Sequence, residues 1–306
     1  MSLFLGIDTS NYTTSAAVCG DRDISLRKII DVKEGERGIR QSDGVFVHLK
    51  ELPRLYESIG ADLTKTAAIG VSTRPRSVDG SYMPVFVAGE SFARVAAKTL
   101  GVPLFRYSHQ DGHIMAGIVS ADCAELLREP FTAVHMSGGT TEILNCRYNG
   151  DGFDVEISGG TKDISAGQLI DRLGVKMGMK FPCGREFDAL SMTADKEIPL
   201  KTSVCGGYIN FSGMENKLSE KIGIDDNAVI ARSALLFIGK SLAQAINFQN
   251  PEKVLFVGGV ASNTLLREYF SENINGKTYF ASGELSSDNA VGIAELTKRS
   301  WEKWNR

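Results

Sequence analysis

Residues 131–146, FTAVHMSGGTTEILNC, decide how this chain is read. An apolar run from Phe131 to Met136 stops at Ser137-Gly138-Gly139-Thr140-Thr141, and a second run follows from Glu142 to Cys146. Short apolar runs bounded by turn residues read as strands. The turn holds only glycine, serine and threonine. Glycine lets the backbone approach a phosphate closely, and exposed N–H and hydroxyl groups hydrogen-bond its oxygens. The N-terminus repeats the plan. In LFLGIDTSNYTTSAAV, residues 3–18, a strand over Leu3 to Ile7 meets a polar turn at Asp8-Thr9-Ser10-Asn11, and a second strand runs from Thr13 to Val18. Two such units in one chain predict a duplicated architecture.

Working outward, Ala67 to Ser72 reads as a buried strand and Met83 to Leu100 as a helix capped at Gly101. Val102 to Phe105 is a short strand leading to Ser108, a good N-cap for a helix through Ile118. Pro130 punctuates the chain. The expected division is an N-terminal lobe over 1–129, a nucleotide-binding C-terminal lobe over 130–287, and a terminal helix over 288–306 that packs back on the first lobe. In the second lobe, residues 165–194 read as helical around an interruption at Phe181-Pro182-Cys183-Gly184. Residues 225–248 are the clearest helix, with Ile230, Ala234, Phe237, Ile238, Leu242, Ala245 and Ile246 on one face. Val254 to Val257 is a strand, Ala261 to Phe270 a helix, Thr278 to Phe280 a strand and Asp288 to Trp301 a helix. Strands alternating with helices indicate an α/β protein.

A third small-residue turn, Gly258-Gly259-Val260-Ala261-Ser262-Asn263, ends the strand at Val257 and opens a helix, whose N-terminus favours an anion. Three turns of this kind predict a phosphate-binding cleft. No G-x-G-x-x-G follows a strand, so a Rossmann dinucleotide site is not expected. Ala234 to Ser241 spells A-x-x-x-x-G-K-S, close to a Walker A sequence, but it lies inside the amphipathic helix and reads as core.

Composition narrows the class. The chain has 306 residues, 42% hydrophobic and 23% charged, enough for two domains. A net charge of −3 supplies no general basic field for nucleic acid or anionic membrane. Five cysteines without a C-x-x-C pair fit neither a disulfide framework nor a zinc ribbon. The opening residues turn polar too early for a secretory signal, and no uninterrupted apolar run reaches the ~18 residues of a membrane span. A cytoplasmic protein without a membrane partner is expected.

His109 and His113 stand four residues apart, which on a helix puts both imidazoles on one face, a metal-binding spacing. Gln110 follows His109, so the glutamate that H-E-x-x-H peptidases use as general base is missing. Asp8 stands where a strand end holds a divalent ion or polarises a water, and Asp288 reads as an N-cap or first-turn acid.

These pieces, in this order, resemble the family that makes N6-threonylcarbamoyladenosine in tRNA, whose members were once described as O-sialoglycoprotein endopeptidases. His109-Gln110-Asp111-Gly112-His113 is similar to the family's H-x-E-G-H. Residues 163–184, DISAGQLIDRLGVKMGMKFPCG, resemble its D-A-x-G-E-x-x-D-K…Y-P-G-G. Ser137 to Thr141, Asn210-Phe211-Ser212-Gly213 and GGVASNTLLRE at 258–268 resemble further family segments.

The resemblance implies a two-lobed actin-like ATPase fold, shared with Hsp70 and sugar kinases, built from duplicated ribonuclease-H-like lobes. It implies a divalent metal on His109, His113 and Asp288, iron or zinc before Mg²⁺, with Asp8 as the catalytic carboxylate. Ser137, Gly138, Gly139 and Gly259 would lie along the phosphates, with Thr140 and Gly258 in the same turns. Gly167 and Asp171 would hold the ribose, and Gly184 and Asn263 would border the adenine. The nucleotide is ATP, ADP or threonylcarbamoyl-adenylate, the acceptor tRNA adenosine, and partner proteins take part. The alternative is an ATPase-only or regulatory member acting through such partners; a metallopeptidase is disfavoured. The chain also departs from the family pattern. Arg74-Pro75-Arg76 replaces a G-P-G turn, Asp8 and Gln168 replace glutamates, and Cys183 replaces a glycine, marking a divergent member.

Overall fold

A computed structural model of the chain describes residues 2–10, 12–30, 39–78, 80–283, 285 and 289–305. Contacts divide it into two compact units: Met1–Asp122 with Tyr148–Asp154 and Ser287–Arg306, and Cys123–Arg147 with Val155–Ser286.

The first unit opens with strands β1 (Leu3–Ser10), β2 (Thr13–Cys19) and β3 (Ile24–Ile29), followed by helix α1 (Gln41–Ser58). Then come β4 (Thr66–Arg74), α2 (Phe86–Leu100), β5 (Leu104–Ser108) and α3 (His109–Ser120). Its sheet runs β3-β2-β1-β4-β5, with β1 antiparallel to β2 and parallel to β4. Leu5, Ile7, Ile69 and Val71 form its core with Leu52 of α1 and Ala93 of α2. The polar stretch Asp8-Thr9-Ser10, expected as a turn, is instead the end of β1, paired with Ser15, Thr14 and Thr13. Its side chains find partners inside: the Thr9 hydroxyl donates to the Val85 carbonyl at 3.0 Å and the Ser15 hydroxyl to the Asp8 carbonyl at 3.2 Å.

The second unit contains β6 (Phe131–Met136), all but the last residue of β7 (Thr141–Tyr148), most of β8 (Phe153–Thr161), α4 (Ala166–Lys176), α5 (Gly184–Ser191), β9 (Val204–Cys205) and β10 (Tyr208–Ile209). It continues through α6 (Ser212–Ser219), α7 (Asn227–Asn247), β11 (Lys253–Val257), α8 (Thr264–Asn273) and β12 (Lys277–Phe280). The chain then returns to the first unit as α9 (Val291–Trp304), which packs on β1, β4 and α3. The second sheet runs β12-β11-β6-β7-β8-β10-β9. Strand β6 is antiparallel to β7 and parallel to β11, the relation β1 has to β2 and β4. The expected duplication is therefore present in the topology.

All seven residues placed on the inner face of α7 are buried, as is the Walker-like stretch except at Leu236 and Lys240. By length and composition α7 would pass for a membrane span, but most of it is buried within its unit. Helix α8 starts at Thr264, later than expected, because Gly259–Ser262 forms a 3-10 turn and Asn263 is the cap.

Candidate functional site

In the second unit, parallel β6 and β11 end side by side, with Val257 opposite His135. The residues that follow, Ser137 to Thr140 and Gly258-Gly259, therefore leave the sheet at one edge. Gly258 has φ +94°, and a side chain there would run into the Met136 carbonyl, so only glycine fits. In the other turn the Gly139 and Thr140 N–H groups converge on Ser137 Oγ at 3.4 and 3.0 Å. Convergent backbone donors of this kind make an anion-binding nest.

Helix α4 is clamped onto that turn. Ser165 caps it in a capping box with Gln168, and the Ser165 hydroxyl also donates to the Gly138 carbonyl at 2.9 Å. The Ala166 N–H donates to Thr141 Oγ1 at 2.8 Å. A Cβ at Gly167 would stand 2.5 Å from Ser137 O and 2.6 Å from Gly138 Cα. Gly138, Gly139 and Gly259 face the other way: nothing lies within 4 Å of where their Cβ atoms would be. The turn is thus packed solid on the α4 side, where Gly167 meets it, and open where side chains at Gly138 and Gly139 would stand.

Asp171 of α4 is half-buried, and its Oδ1 accepts the Cys183 N–H at 2.8 Å, tying α4 to the turn before α5. Burial raises its pKa and the Cys183 N–H only partly counters this. The Cys183 thiol is pushed up to about 11, by burial first and then by the charges of Asp171 and Glu186, so it stays protonated. Asn263 caps α8, its side-chain oxygen accepting the Leu266 N–H at 3.0 Å, so the amide NH₂ is the group it can offer a ligand. One residue was not anticipated. Asp188 of α5 accepts from the Thr264 N–H and hydroxyl at 3.0 and 3.1 Å through Oδ2. Its Oδ1 is buried with no hydrogen-bond partner among the described residues, next to the N-terminus of α8. The available signal was its position four residues after Gly184, one helical turn on.

In the first unit, α3 carries both candidate imidazoles. The His109 and His113 rings lie 4.3 Å apart, centre to centre, nearly perpendicular. Asp111, between them in the sequence, is committed elsewhere. Its Oδ2 accepts from the Ser108 N–H, the Ser108 hydroxyl and the Ser77 hydroxyl at 2.8, 2.6 and 2.9 Å, and its Oδ1 from the Phe153 N–H at 3.0 Å. It completes the capping box that starts α3.

Asp8 lies behind His109, with Oδ1 3.0 Å from His109 Nδ1. It also accepts from the Ser10 hydroxyl at 2.6 Å, the Ser10 N–H at 3.3 Å and the Ser72 hydroxyl. Burial alone would raise its pKa, but His109, Ser10 and Ser72 outweigh this and hold it below the ordinary carboxylate value. A carboxylate on Nδ1 is the arrangement that fixes an imidazole to ligate through Nε2, so His109 is held as a transition-metal ligand would be. Asp288 lies outside the described residues, and among those described no third ligand completes a metal set.

Comparison with known proteins shows the family. The family description TsaD, tRNA N6-adenosine threonylcarbamoyltransferase, matches residues 48–295. The chain belongs to this family. A relative of that name from Neorickettsia sennetsu is 29% identical over 95% of this chain and 92% of its own length. Another, from Thermosipho africanus, is 26% identical over 98% and 95%. Among solved structures, HypF of T. kodakarensis superposes with a TM-score of 0.62 at 14% identity, over 99% of this chain and 48% of that one. The activator of 2-hydroxyisocaproyl-CoA dehydratase from Clostridium difficile gives 0.58 at 14% identity, over 99% and 97%. A ROK glucokinase from Streptomyces griseus gives 0.51 at 13% identity, over 97% and 100%. These neighbours bear out the actin-like, sugar-kinase type of fold. The matched span includes both the His109–His113 pair and the glycine turns.

Proposed function

We propose that this protein transfers a threonylcarbamoyl group from its adenylate to the N6 amine of an adenosine in tRNA. The observation that carries this is the family match, which spans both the His109–His113 pair and the cradle at Ser137 to Thr140. In the reaction the amine nitrogen attacks the carbamoyl carbon. A C–N bond forms, the C–O bond to phosphorus breaks, AMP departs, and the amine proton leaves with the phosphate.

The N–H groups of Gly139 and Thr140 and the turn at Gly259 bind the phosphates. Asp171 keeps Oδ2 for a ribose hydroxyl and Asn263 offers its amide to the polar edge of the adenine, while Asp188, through Oδ2, holds the N-terminus of α8 that carries Asn263. Ser137, Gly138, Gly167, Gly184 and Gly258 shape this site by leaving room or allowing close approach. His109, His113 and Asp288 would hold one divalent ion, with Fe²⁺ or Zn²⁺ suiting the nitrogen donors better than Mg²⁺. Bound there, the ion would polarise phosphate and carbonyl oxygens as a Lewis acid. Asp8 has no exposed surface, so it works as a positioning residue for the His109 ring. Rate enhancement then rests on orientation and electrostatics, without a covalent nucleophile.

A net charge of −3 gives little general attraction for tRNA, so partner proteins supply part of the tRNA surface in this reading. The protein works in the cytoplasm with its tRNA. The test is reconstitution with tRNA, threonine, bicarbonate, ATP, the adenylate-forming enzyme and partner proteins, with nucleosides read by mass spectrometry. Modified adenosine that depends on this chain is expected. Tight ADP binding without any modified adenosine would favour an ATPase-only or regulatory role instead.

A further inference from the structure

Arg267 lies in the stretch GGVASNTLLRE, residues 258–268, on the first turn of α8. The helix dipole disfavours a cation at that end of a helix. Three contacts offset this. Its Nε donates to the Ala261 carbonyl at 2.9 Å, and its Nη2 donates to the Ala281 carbonyl. The guanidinium also lies over the Phe280 ring, with Cζ 5.4 Å from the ring centre. Phe280 is itself fixed. It stacks on Phe256 of β11 at 4.9 Å, and Phe256 stacks on Phe270 of α8 at 4.5 Å.

The two carbonyls belong to the segments that leave neighbouring parallel strands. Ala261 lies in the turn after β11. Ala281 directly follows β12, and its N–H donates to the Phe256 carbonyl at 3.0 Å. A Cβ at Gly283 would stand 3.6 Å from Ser262 Cβ, so the segment beyond β12 runs along the turn. One guanidinium therefore ties the turn to the strand end beside it. No carboxylate pairs with Arg267 among the described residues, and burial lowers its pKa with no acid to raise it. Its bonds to the two carbonyls are charge-assisted and stronger than bonds between neutral groups.

The far end of the turn has other anchors. Asn263 accepts the Leu266 N–H, and Asp188 holds the Thr264 N–H and hydroxyl. Within Gly259–Ser262, the Ser262 hydroxyl donates to the Gly259 carbonyl. Among the described residues, Arg267 is the one side chain from outside Gly259–Ser262 that hydrogen-bonds to it.

We propose that Arg267 is a positioning residue for the nucleotide phosphates, holding the Gly259–Ser262 turn in the shape that meets them. This rests on the nucleotide site proposed above and lies wholly within the second unit. Arg267 acts through the backbone of the turn and does not touch the ligand. Without the guanidinium the turn is held at its ends alone, and its phosphate contacts weaken. Asn263 and Asp171 keep their own anchors, so contacts to adenine and ribose persist.

Calorimetry of the full chain with two probes, ADP and adenosine, tests this. Arg267→Met keeps the length of the side chain without its charge or donors. Arg267→Lys keeps the charge and can reach one carbonyl. Wild type is expected to bind ADP at least about 10-fold more tightly than adenosine, the worth of a charge-assisted contact. Arg267→Met should lose about 10-fold in ADP affinity and leave adenosine affinity unchanged. Arg267→Lys should show a smaller loss of the same kind. Melting curves show which variants are folded; if Arg267→Met is not, Arg267→Lys carries the test by the same criterion. Equal losses for ADP and adenosine overturn the proposal, because a contact that only stabilises the fold makes no distinction between the probes. Unchanged ADP affinity in a folded variant overturns it as well. A wild type that binds ADP no better than adenosine removes the phosphate role and leaves nucleoside binding in place. A wild type that binds neither removes the nucleotide reading, and this inference with it.

Discussion

The packed and open sides of the proposed phosphate cradle make a sharp prediction for two glycine-to-alanine substitutions. In Gly167→Ala the new Cβ would stand 2.5 Å from Ser137 O, 2.6 Å from Gly138 Cα and 2.9 Å from Gly138 N. All three are backbone atoms, so no side-chain rotation relieves the crowding. Overpacking of this kind costs about 1–3 kcal/mol. Alanine at a helical site returns about 0.5–1 kcal/mol. With three backbone clashes the net destabilisation should be about 2 kcal/mol, a fall in Tm of about 4–8 °C for a protein of this size. Gly139→Ala should behave in the opposite way. Nothing lies within 4 Å of its Cβ, so stability should stay within about 0.5 kcal/mol of wild type. The methyl group would instead stand beside the converging N–H groups, lowering ADP affinity by about 10-fold or more, the loss of roughly one charge-assisted hydrogen bond. Differential scanning fluorimetry and calorimetry with ADP measure both. The reasoning fails if Gly139→Ala melts as low as Gly167→Ala, or if it binds ADP as tightly as wild type.

Asp8→Asn should destabilise the protein by about 1–3 kcal/mol at pH 7, because it weakens the charge-assisted hydrogen bonds that His109, Ser10 and Ser72 make to a buried carboxylate. The pKa of Asp8 is depressed in the fold, so its contribution is complete above the ordinary value of 3.8 and is lost as pH falls through the lower folded value. Urea melts at pH 7 and near pH 3 should show the gap between wild type and variant shrinking; a gap that grows on acidification contradicts the sign. Asp171→Ala should weaken ADP binding by roughly 1–3 kcal/mol through loss of a ribose contact and of the Cys183 anchor. Asp171→Asn, which keeps an acceptor for the Cys183 N–H, should lose less, and equal losses would mean that the anchor contributes nothing to binding. The His109→Ala, His113→Ala double variant should contain no bound metal by elemental analysis while wild type holds about one equivalent. Matching metal content would remove the assignment.

Much of this protein was legible along the chain because its signals are local. The period of α7 showed both its helical state and its buried face, which also disposed of the Walker-like stretch within it. Ser108, three residues before Asp111, announced the start of α3, and the spacing of His109 and His113 put both rings on one face. Glycine and hydroxyl residues after β6 and β11 marked the turns of the cradle. Elements with weaker patterns, such as β3 and the two-residue strands β9 and β10, were passed over.

What remained for the tertiary structure was the use of each polar atom, because that depends on partners far away in sequence. Asp8, Thr9 and Ser10 look like a turn until Ser72, Val85 and His109 satisfy them inside the unit and let the strand continue. Asp111 sits between two candidate ligands in the sequence, yet Ser77 and Phe153 claim it from outside α3. Asp188 gains its meaning only when α8 arrives to take one oxygen and leave the other buried. Periodicity and turn chemistry are properties of neighbouring residues, so sequence determined many of the helices, strands and glycine turns. A buried carboxylate is positioned or left waiting according to which distant donors reach it, and only folding decides that.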